Sequence, residues 1–293
     1  MIQSPVDAQQ AALDAAFDNS AVPAHAPNKA QVIRRMEQRS LSMRARIGEP
    51  QVQAYGDSPV QQVSFYPVPA PTELSPIHVH IHGGAWLQRK AETILFPAEA
   101  FLAAGVAFAA IDFTAANEQA GDIRPMVRQV CEGLAWLVRN ARALGCDHQR
   151  ITISGFSSGA QLAGAALAAD WTQLGCARTP FLGALLFSGV YDLRAIRRAK
   201  PFSYLVIDDA VEQAMSPIHH VERVDTPTVL AVGESEPPEF QRQSTAFAAA
   251  LKRAGKSVEL LSVKGFNHYE MMESFGHPYS ELGHAAITLA RGG

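Results

Sequence analysis

The sequence predicts an α/β fold in which a mostly parallel, doubly wound sheet lies between flanking helices. Segments with the short apolar or alternating pattern of strands alternate with helical patterns over most of the 293 residues. Two of the predicted strands end in glycine-rich turns, at "IHVHIHGG" and "RITISGFSSG". Since right-handed crossovers join parallel strands, the carboxyl ends of those strands meet at one edge of the sheet. We therefore look for functional residues in the loops at that edge.

The predicted strands are short and flanked by turn residues. The first shows period-two alternation, and "GVAFAAIDF" is a continuous apolar run typical of a buried parallel strand. Helical spacing of apolar residues predicts a long helix over 123–144, a helix of small residues from about Ala160, and a terminal helix in "GHAAITLARGG". The strands are expected within VQQVSFYPVP, IHVHIHGG, GVAFAAIDF, RITISGFSSG, FLGALLFSGVYD, PTVLAVG and SVELLSVKG.

Residues 1–54 differ in composition from the rest of the chain. They are polar and alanine-rich, and Pro23 and Pro27 interrupt them. This pattern predicts an N-terminal helical segment that packs over the body of the protein or frames a pocket. Residues 55–293 are expected to form one α/β domain, because α/β folds of this size are often single domains.

Charge and hydropathy narrow the classes of function. The formal net charge is −3, and basic runs such as Arg34-Arg35 are short, so no nucleic-acid partner is expected. The longest apolar run, 100–111, is too short to span a bilayer. The first basic residue is Lys29, so the charged start of a secretory signal is not found.

The cysteines indicate the redox compartment. Cys131, Cys146 and Cys176 are odd in number and lack the spacing of a metal site. This favours reduced thiols and a soluble, cytoplasmic protein. We expect a small-molecule substrate, no cofactor, no metal and no membrane partner, and the sequence permits a homodimer.

The segment Gly155-Phe156-Ser157-Ser158-Gly159 follows a predicted strand and opens a predicted helix. This is the context that the G-x-S-x-G pattern of a nucleophilic serine requires. A tight turn there would expose the Ser157 hydroxyl, and the helix N-terminus would favour developing negative charge. The alternative is a Gly/Ser-rich loop without chemistry. The context favours Ser157 as the nucleophile.

The stretch "HGGAW", residues 82–86, ends an earlier predicted strand. Motifs of this type supply a backbone N–H to an oxyanion hole, and the residue after the nucleophile supplies another. Glycine lets the backbone approach a reacting oxygen without a Cβ in the way. Gly83, Gly84 and Ser158 are therefore the expected oxyanion donors.

Three histidines, His78, His80 and His82, alternate along that strand and share one face, which raises the alternative of a metal site. The pattern lacks the accompanying H-x-x-x-H spacing or carboxylates that would complete a tetrahedral site. We expect His82 to brace the glycine loop by hydrogen bonds, and His78 and His80 to be packing residues with satisfied nitrogens.

The histidine of a hydrolase follows its nucleophile and acid along the chain. His268 lies five residues past the predicted strand "VELLSV", in the turn "KGFNH", where a loop at a carboxyl end belongs. His277 and His284 lie further on, in a Gly/Pro loop and near the terminal helix. His268 is therefore the predicted base.

The acid is expected a few residues past the strand "TVLAV", within "VGESEPPEFQRQS". Glu236 stands three residues past the turn glycine, after the chain has cleared the sheet. Glu234 adjoins that glycine, and Glu239 opens the next helix. An oriented carboxylate at the histidine Nδ1 is what the role needs, and glutamate can fill it. Position favours Glu236.

Together "HGGAW", "GFSSGAQLA", "EPPEFQRQS" and "NHYE" resemble the kynurenine formamidase (arylformamidase) branch of the α/β-hydrolase fold, which is related to hormone-sensitive-lipase-like esterases. The resemblance extends from about Tyr55 to the C-terminus. It implies Ser157 as nucleophile and His268 as base. It places Glu236 where the family usually has aspartate and matches Glu239 to a structural glutamate.

The resemblance implies a serine hydrolase that cleaves an N-formyl arylamine such as N-formylkynurenine. A carboxylesterase acting on small acyl or aryl esters is the close alternative, because the same groups serve both bonds. A ligand-binding protein on a hydrolase scaffold is a more distant one. Trp86, Phe156 and Tyr191 are expected to form an aromatic wall for the substrate. For Trp86, a plain core tryptophan is the alternative.

Overall fold

The computed structural model describes residues 5–18, 26–87 and 90–292. Its strands are β1 Gln51–Ala54, β2 Gln62–Tyr66, β3 Ser75–Ile81, β4 Ala107–Ile111, β5 Cys146–Phe156, β6 Gly183–Phe187, β7 Thr228–Gly233 and β8 Val258–Val263. Its α-helices are α1 Pro5–Ala16, α2 Lys29–Ile47, α3 Ala98–Ala103, α4 Arg124–Asn140, α5 Ser158–Leu167, α6 Leu193–Arg198, α7 Asp209–Met215, α8 Pro238–Arg253, α9 His268–Phe275 and α10 Glu281–Arg291. Short 3₁₀ helices cover Ala91–Ile94, Ala116–Gln119, Trp171–Leu174, Lys200–Phe202 and Pro217–Arg223.

The eight strands form one sheet in the order β1-β2-β4-β3-β5-β6-β7-β8. The pairs β1–β2 and β2–β4 are antiparallel, and every later pair is parallel. The predicted doubly wound α/β fold is therefore confirmed. The carboxyl ends of β3, β5, β7 and β8 lie along one edge, so the loops that follow them can meet there.

Strand β3 shows how the two faces of the sheet differ. Ile77, Val79 and Ile81 are fully buried on the face that α4, α5 and α8 cover. His78 and His80 are also fully buried, and their rings contact the phenylalanines of the opposite face, which α2, α3, α9 and α10 cover. Both faces of a central parallel strand are expected to be buried, but only one face of β3 is purely apolar.

Two boundaries differ from the sequence prediction. The helix predicted over 123–144 ends at Asn140, because a turn that closes with Gly145 at φ 75° returns the chain to the sheet. The strand β5 then begins at Cys146. The predicted domain boundary at residue 55 falls just after β1, so the first strand of the sheet belongs to the segment predicted as helical.

Helix α2 packs across α9 on one face of the sheet. Arg35 makes two hydrogen bonds to the carboxylate of Glu273, at 2.7 and 2.6 Å. Arg39 donates to the backbone carbonyls of Glu273 and Gly276, at the C-terminal end of α9. These contacts hold the N-terminal segment against the helix that begins with His268. No helix in the described ranges combines the length and the apolar character that a bilayer crossing requires.

Candidate active site

Ser157 occupies the turn between β5 and α5 with a strained backbone. Its φ of 56° and ψ of −124° lie in a region that residues with side chains rarely adopt. A Cβ at Gly159 would collide with the backbone carbonyl oxygens of Ile81 and His82. Only glycine at 159 therefore lets α5 approach the end of β3 closely enough to form this turn, which explains the second glycine of the G-x-S-x-G pattern.

Ser157, His268 and Glu236 form a continuous hydrogen-bonded chain. The Ser157 Oγ lies 3.0 Å from Nε2 of His268, and the His268 Nδ1 lies 2.7 Å from Oε2 of Glu236. An ionised carboxylate only accepts hydrogen bonds, so Nδ1–H donates to Glu236 and Nε2 accepts from the Ser157 hydroxyl. The structure thus brings together three residues separated by 111 and 32 positions in the chain.

Glu236 is held in place through its other oxygen. Oε1 accepts from the Ser188 hydroxyl at 2.7 Å and from the Gly233 N–H at 2.8 Å. The residue is only 1% exposed. A carboxylate that accepts three hydrogen bonds in a buried site has a fixed orientation toward its histidine. Ser188, at the end of β6, was not found from the sequence, since a single serine after a strand carries no distinguishing pattern.

The two neighbouring glutamates occupy different places. Glu234 is exposed, and within the described residues its carboxylate accepts only a long contact of 3.4 Å from the Ser262 hydroxyl. Glu239 is buried, binds Arg242 at 2.5 and 2.8 Å, and accepts from Gln243. Gln243 in turn binds the backbone at positions 191 and 192 after β6. Glu239 therefore supports a loop and does not touch His268.

His268 is the first residue of α9, and the cap of that helix fixes it. Asn267 and Glu270 form a reciprocal capping box around it. The imidazole lies between aromatic rings, with centroids 4.8 Å from Phe156 and 4.6 Å from Phe240, and His268 is 3% exposed. His277 and His284 are both exposed, so neither is placed as His268 is.

The glycine loop after β3 lies directly against Ser157. A Cβ at Gly83 would lie 3.0 Å from that of Ser157. His82 donates from Nδ1 to the Gly83 carbonyl at 2.9 Å, as predicted for a bracing residue. The Ser158 hydroxyl accepts from the Trp86 N–H at 3.2 Å and so ties the glycine loop to α5, a role that the sequence did not indicate.

The predicted oxyanion donors lie beside Ser157 in the fold or in the chain. Gly83 and Gly84 line the pocket beside Ser157. Ser158 is the first residue of α5, so its N–H has no partner within that helix. Backbone N–H groups at such a position can bind an oxygen that becomes negatively charged.

The histidines of β3 contact hydroxyl groups of the neighbouring strand β5. His78 hydrogen-bonds to Thr152 and Ser154, and His80 to Ser154. Burial lowers the pKa of His78 to about 3. Within the described ranges, Asp192, Glu212 and His219 form the only close group of three metal-ligating residues. The guanidinium of Arg194 already binds the carboxylate of Asp192 in that group, at 2.6 Å.

A small cavity of about 210 Å³ opens beside Ser157 and His268. Phe156 lines it, as predicted. The predictions for Trp86 and Tyr191 need correction. Trp86 is 2% exposed and donates from its indole to Gln161 within the core. Tyr191 is fully buried and stacks on Phe247 at 4.5 Å. Both rings pack inside the protein instead of facing the substrate.

The chain is similar to a known family over part of its length and to known proteins over most of it. The BD-FAE family matches residues 65–176. A kynurenine formamidase from Danio rerio is 26% identical over 224 residues, which cover 75% of this chain and 74% of the relative. One from Salmo salar is 29% identical over 227 residues, with the same coverage of both chains.

This chain has the α/β-hydrolase fold and is similar to kynurenine formamidases. Its fold is similar to that of a solved structure of a candidate thioesterase from Silicibacter sp. TM1040, with a TM-score of 0.78 and 22% identity. That similarity covers 94% of this chain and 98% of the other. The predicted resemblance and the predicted fold are both confirmed, and the protein is a hydrolase.

The remaining pocket residues of this arylformamidase-like hydrolase were missed in the sequence. Lys29 and Met36 come from α2, Ile94 from a 3₁₀ helix, and Tyr269 and Met272 from α9. Tyr269 follows His268 in the "NHYE" motif, so the motif contained a signal for it. The others lie far from any motif, and only the folded chain places them together.

Proposed function

We propose that the protein is a serine hydrolase that works through an acyl-enzyme, with Ser157 as nucleophile, His268 as base and Glu236 as the orienting acid. The observation that carries this proposal is the hydrogen-bonded chain from Ser157 through His268 to Glu236. A nucleophile, a base and a group that orients the base are the three parts that such catalysis requires.

In the first step, the Ser157 Oγ attacks the substrate carbonyl carbon while Nε2 of His268 takes the hydroxyl proton. Glu236 holds Nδ1–H and stabilises the imidazolium that forms. The N–H groups of Gly83, Gly84 and Ser158 bind the oxyanion of the tetrahedral intermediate.

His268 then gives its proton to the leaving nitrogen or oxygen as the bond to the acyl carbon breaks. A water molecule attacks the acyl-enzyme, again losing its proton to His268. Collapse of the second tetrahedral intermediate releases the acid and returns the proton to Ser157.

The substrate class that we propose is an N-formyl arylamine of the N-formylkynurenine type. Two kynurenine formamidases align over three quarters of the chain, and a cavity of about 210 Å³ is small for a ligand site, which suits a small acyl group such as formyl. Lys29 at the pocket provides a cation for a carboxylate on the leaving group.

A carboxylesterase acting on small acyl or aryl esters is the second candidate. Much of the pocket has an apolar lining, formed by Phe156, Met36, Ile94 and Met272. A neutral ester would also fit this lining. The same three residues and the same oxyanion donors would cleave either bond, so these groups do not distinguish the two substrates.

The experiment that separates the two candidates compares kcat/KM for N-formylkynurenine with kcat/KM for short p-nitrophenyl esters. Since esters are intrinsically more reactive than amides, each value is divided by the uncatalysed rate of its substrate. We expect the larger acceleration for N-formylkynurenine. Negligible deformylation beside efficient ester cleavage would reject the formamidase assignment and leave the esterase.

A further inference from the structure

His80 carries a buried ring nitrogen that has no hydrogen-bond partner within the described part of the chain. His80 is fully buried, and its Nε2 is the unpartnered atom. His80 also lines the pocket that contains Ser157 and His268. Since Ser154 occupies Nδ1 at 2.8 Å, Nε2 is the polar atom that His80 brings to the pocket. Buried polar groups are nearly always satisfied, so this nitrogen needs a partner.

A chain of hydrogen bonds sets the tautomer of His80. The Thr152 hydroxyl donates to the Ile77 carbonyl at 3.4 Å and accepts from Nδ1 of His78 at 2.9 Å. Nε2 of His78 then accepts from the Ser154 hydroxyl at 2.7 Å, and Ser154 accepts from Nδ1–H of His80. The reverse direction would lose the bond to Ile77. The direction that uses all four contacts therefore leaves a lone pair on Nε2 of His80.

The surroundings keep both imidazoles neutral. His78 stacks on Phe101 at 4.4 Å, and His80 stacks on Phe275 at 5.0 Å. Burial lowers the pKa of both rings, and that of His80 is lowered further by its histidine neighbours. A neutral imidazole with its proton on Nδ1 can only accept at Nε2. Since His80 lines the pocket, this acceptor lies in the pocket wall.

We propose that Nε2 of His80 is a substrate-binding group that accepts a hydrogen bond from an N–H or O–H of the substrate. The inference rests on the proposed function, because it assigns a specificity contact inside that same site. A substrate without a donor would leave Nε2 unpaired in the closed pocket. Sites that hydrogen-bond a substrate discriminate strongly against analogues that lack the bonding group.

The test uses the ratio of kcat/KM values for paired substrates that differ in one donor. One pair carries the donor on the acyl side, p-nitrophenyl glycolate against p-nitrophenyl propionate. The other carries it on the aryl side, 2-aminoformanilide against 2-methylformanilide. In His80→Phe, which keeps a planar ring on Phe275, we expect the donor preference to fall about tenfold or more in at least one pair.

His80→Gln is the matched variant, because its amide oxygen can accept and should retain part of the preference. Ratios that stay within about twofold of wild type in both pairs, in folded His80→Phe, would overturn the proposal. If wild type neither hydrolyses the substrates nor reacts with a serine-directed phosphonate, the proposed function fails instead, and the two failures are distinguishable.

The tautomer gives a second test that needs no activity. Nitrogen-15 NMR of histidine-labelled protein reports which ring nitrogen carries the proton, and the signal that His80→Phe removes belongs to His80. We expect the proton on Nδ1 at neutral pH and loss of that preference in Ser154→Ala. A proton on Nε2 in wild type would overturn the assignment of an acceptor.

Discussion

Two hydrogen-bonded histidine chains lie within the same part of this molecule, and they differ in the groups that contact the imidazole rings. In the first, His268 lies between a hydroxyl and the carboxylate of Glu236. In the second, the hydrogen bonds of His78 and His80 within the described residues go to hydroxyl groups, and their rings stack on aromatic rings. The difference is one buried carboxylate. An imidazole beside it can hold a positive charge, and an imidazole without it remains neutral.

Residue type therefore does not decide what a buried histidine does. The partner on the far nitrogen decides whether the ring can take a proton during a reaction or only present a lone pair. The strongest way to test this is to remove the carboxylate from the first chain.

Glu236→Gln should lower kcat about 10³- to 10⁴-fold, because an amide at this position neither selects the tautomer nor stabilises the imidazolium. Glu234→Gln is the matched control on the same loop and should stay within about twofold of wild type, since Glu234 is exposed. Steady-state kinetics on a formanilide measure both. Equal, small losses in the two variants would show that Glu236 does not orient the base.

Ser188→Ala should cost about tenfold in kcat with KM unchanged. Glu236 would lose the hydroxyl at Oε1 but keep the Gly233 N–H and the contact to His268. Removing one of two supports loosens the carboxylate without removing it. A loss as large as that of Glu236→Gln, or none at all, would contradict this role for Ser188.

The second chain should make the free energy of unfolding depend on pH. The folded pKa of His78 is lowered to about 3, so the unfolded state binds more protons at intermediate pH. Stability from this group is present above the unfolded pKa of about 6.5 and is lost as pH falls from there toward 3. In His78→Gln, the slope of the free energy of unfolding against pH should be smaller by about 1.4 kcal/mol per pH unit between pH 6 and 4.

Urea unfolding at several pH values measures that slope, and His148→Gln serves as the control because His148 is exposed. Identical slopes in wild type and His78→Gln would show that His78 does not stay neutral in the folded state.

Lys29→Met should have the smallest effect and should depend on substrate charge. Lys29 lines the pocket and lies 5.0 Å from the centroid of the Tyr269 ring. We expect KM for N-formylkynurenine to rise about fivefold and KM for neutral formanilide to stay constant, because Lys29 is only partly buried and a solvent-screened cation contributes modestly to binding an anion. Equal changes for both substrates would exclude a contact to the carboxylate.

The sequence predicted the residues of the first chain because each follows a strand at a position that chemistry restricts. The turn of Ser157 requires a nearby glycine. Glu236 and His268 follow β7 and β8, the last two strands, whose carboxyl ends lie at the same edge of the sheet. The second chain was predicted only as packing, since alternation along β3 places its histidines on one face but does not show which hydroxyl groups lie opposite.

The pocket was the least predictable part. Lys29 and Met36 belong to α2, which the arginine contacts to Glu273 and to the end of α9 hold over the site, and no motif marks those contacts. The prediction for Tyr191 was wrong because the aromatic character of a residue does not show which way its side chain points. Its ring turns toward Phe247 in the core. Loop contacts between distant segments are set by the whole fold, so local patterns do not contain them.

Labelling with a serine-directed phosphonate, followed by mass spectrometry of the modified peptide, tests most directly whether Ser157 is the nucleophile. We expect stoichiometric labelling of the folded wild-type protein at Ser157 and no labelling of Ser157→Ala. Absence of labelling in the folded wild type, or labelling that persists in Ser157→Ala, would contradict it.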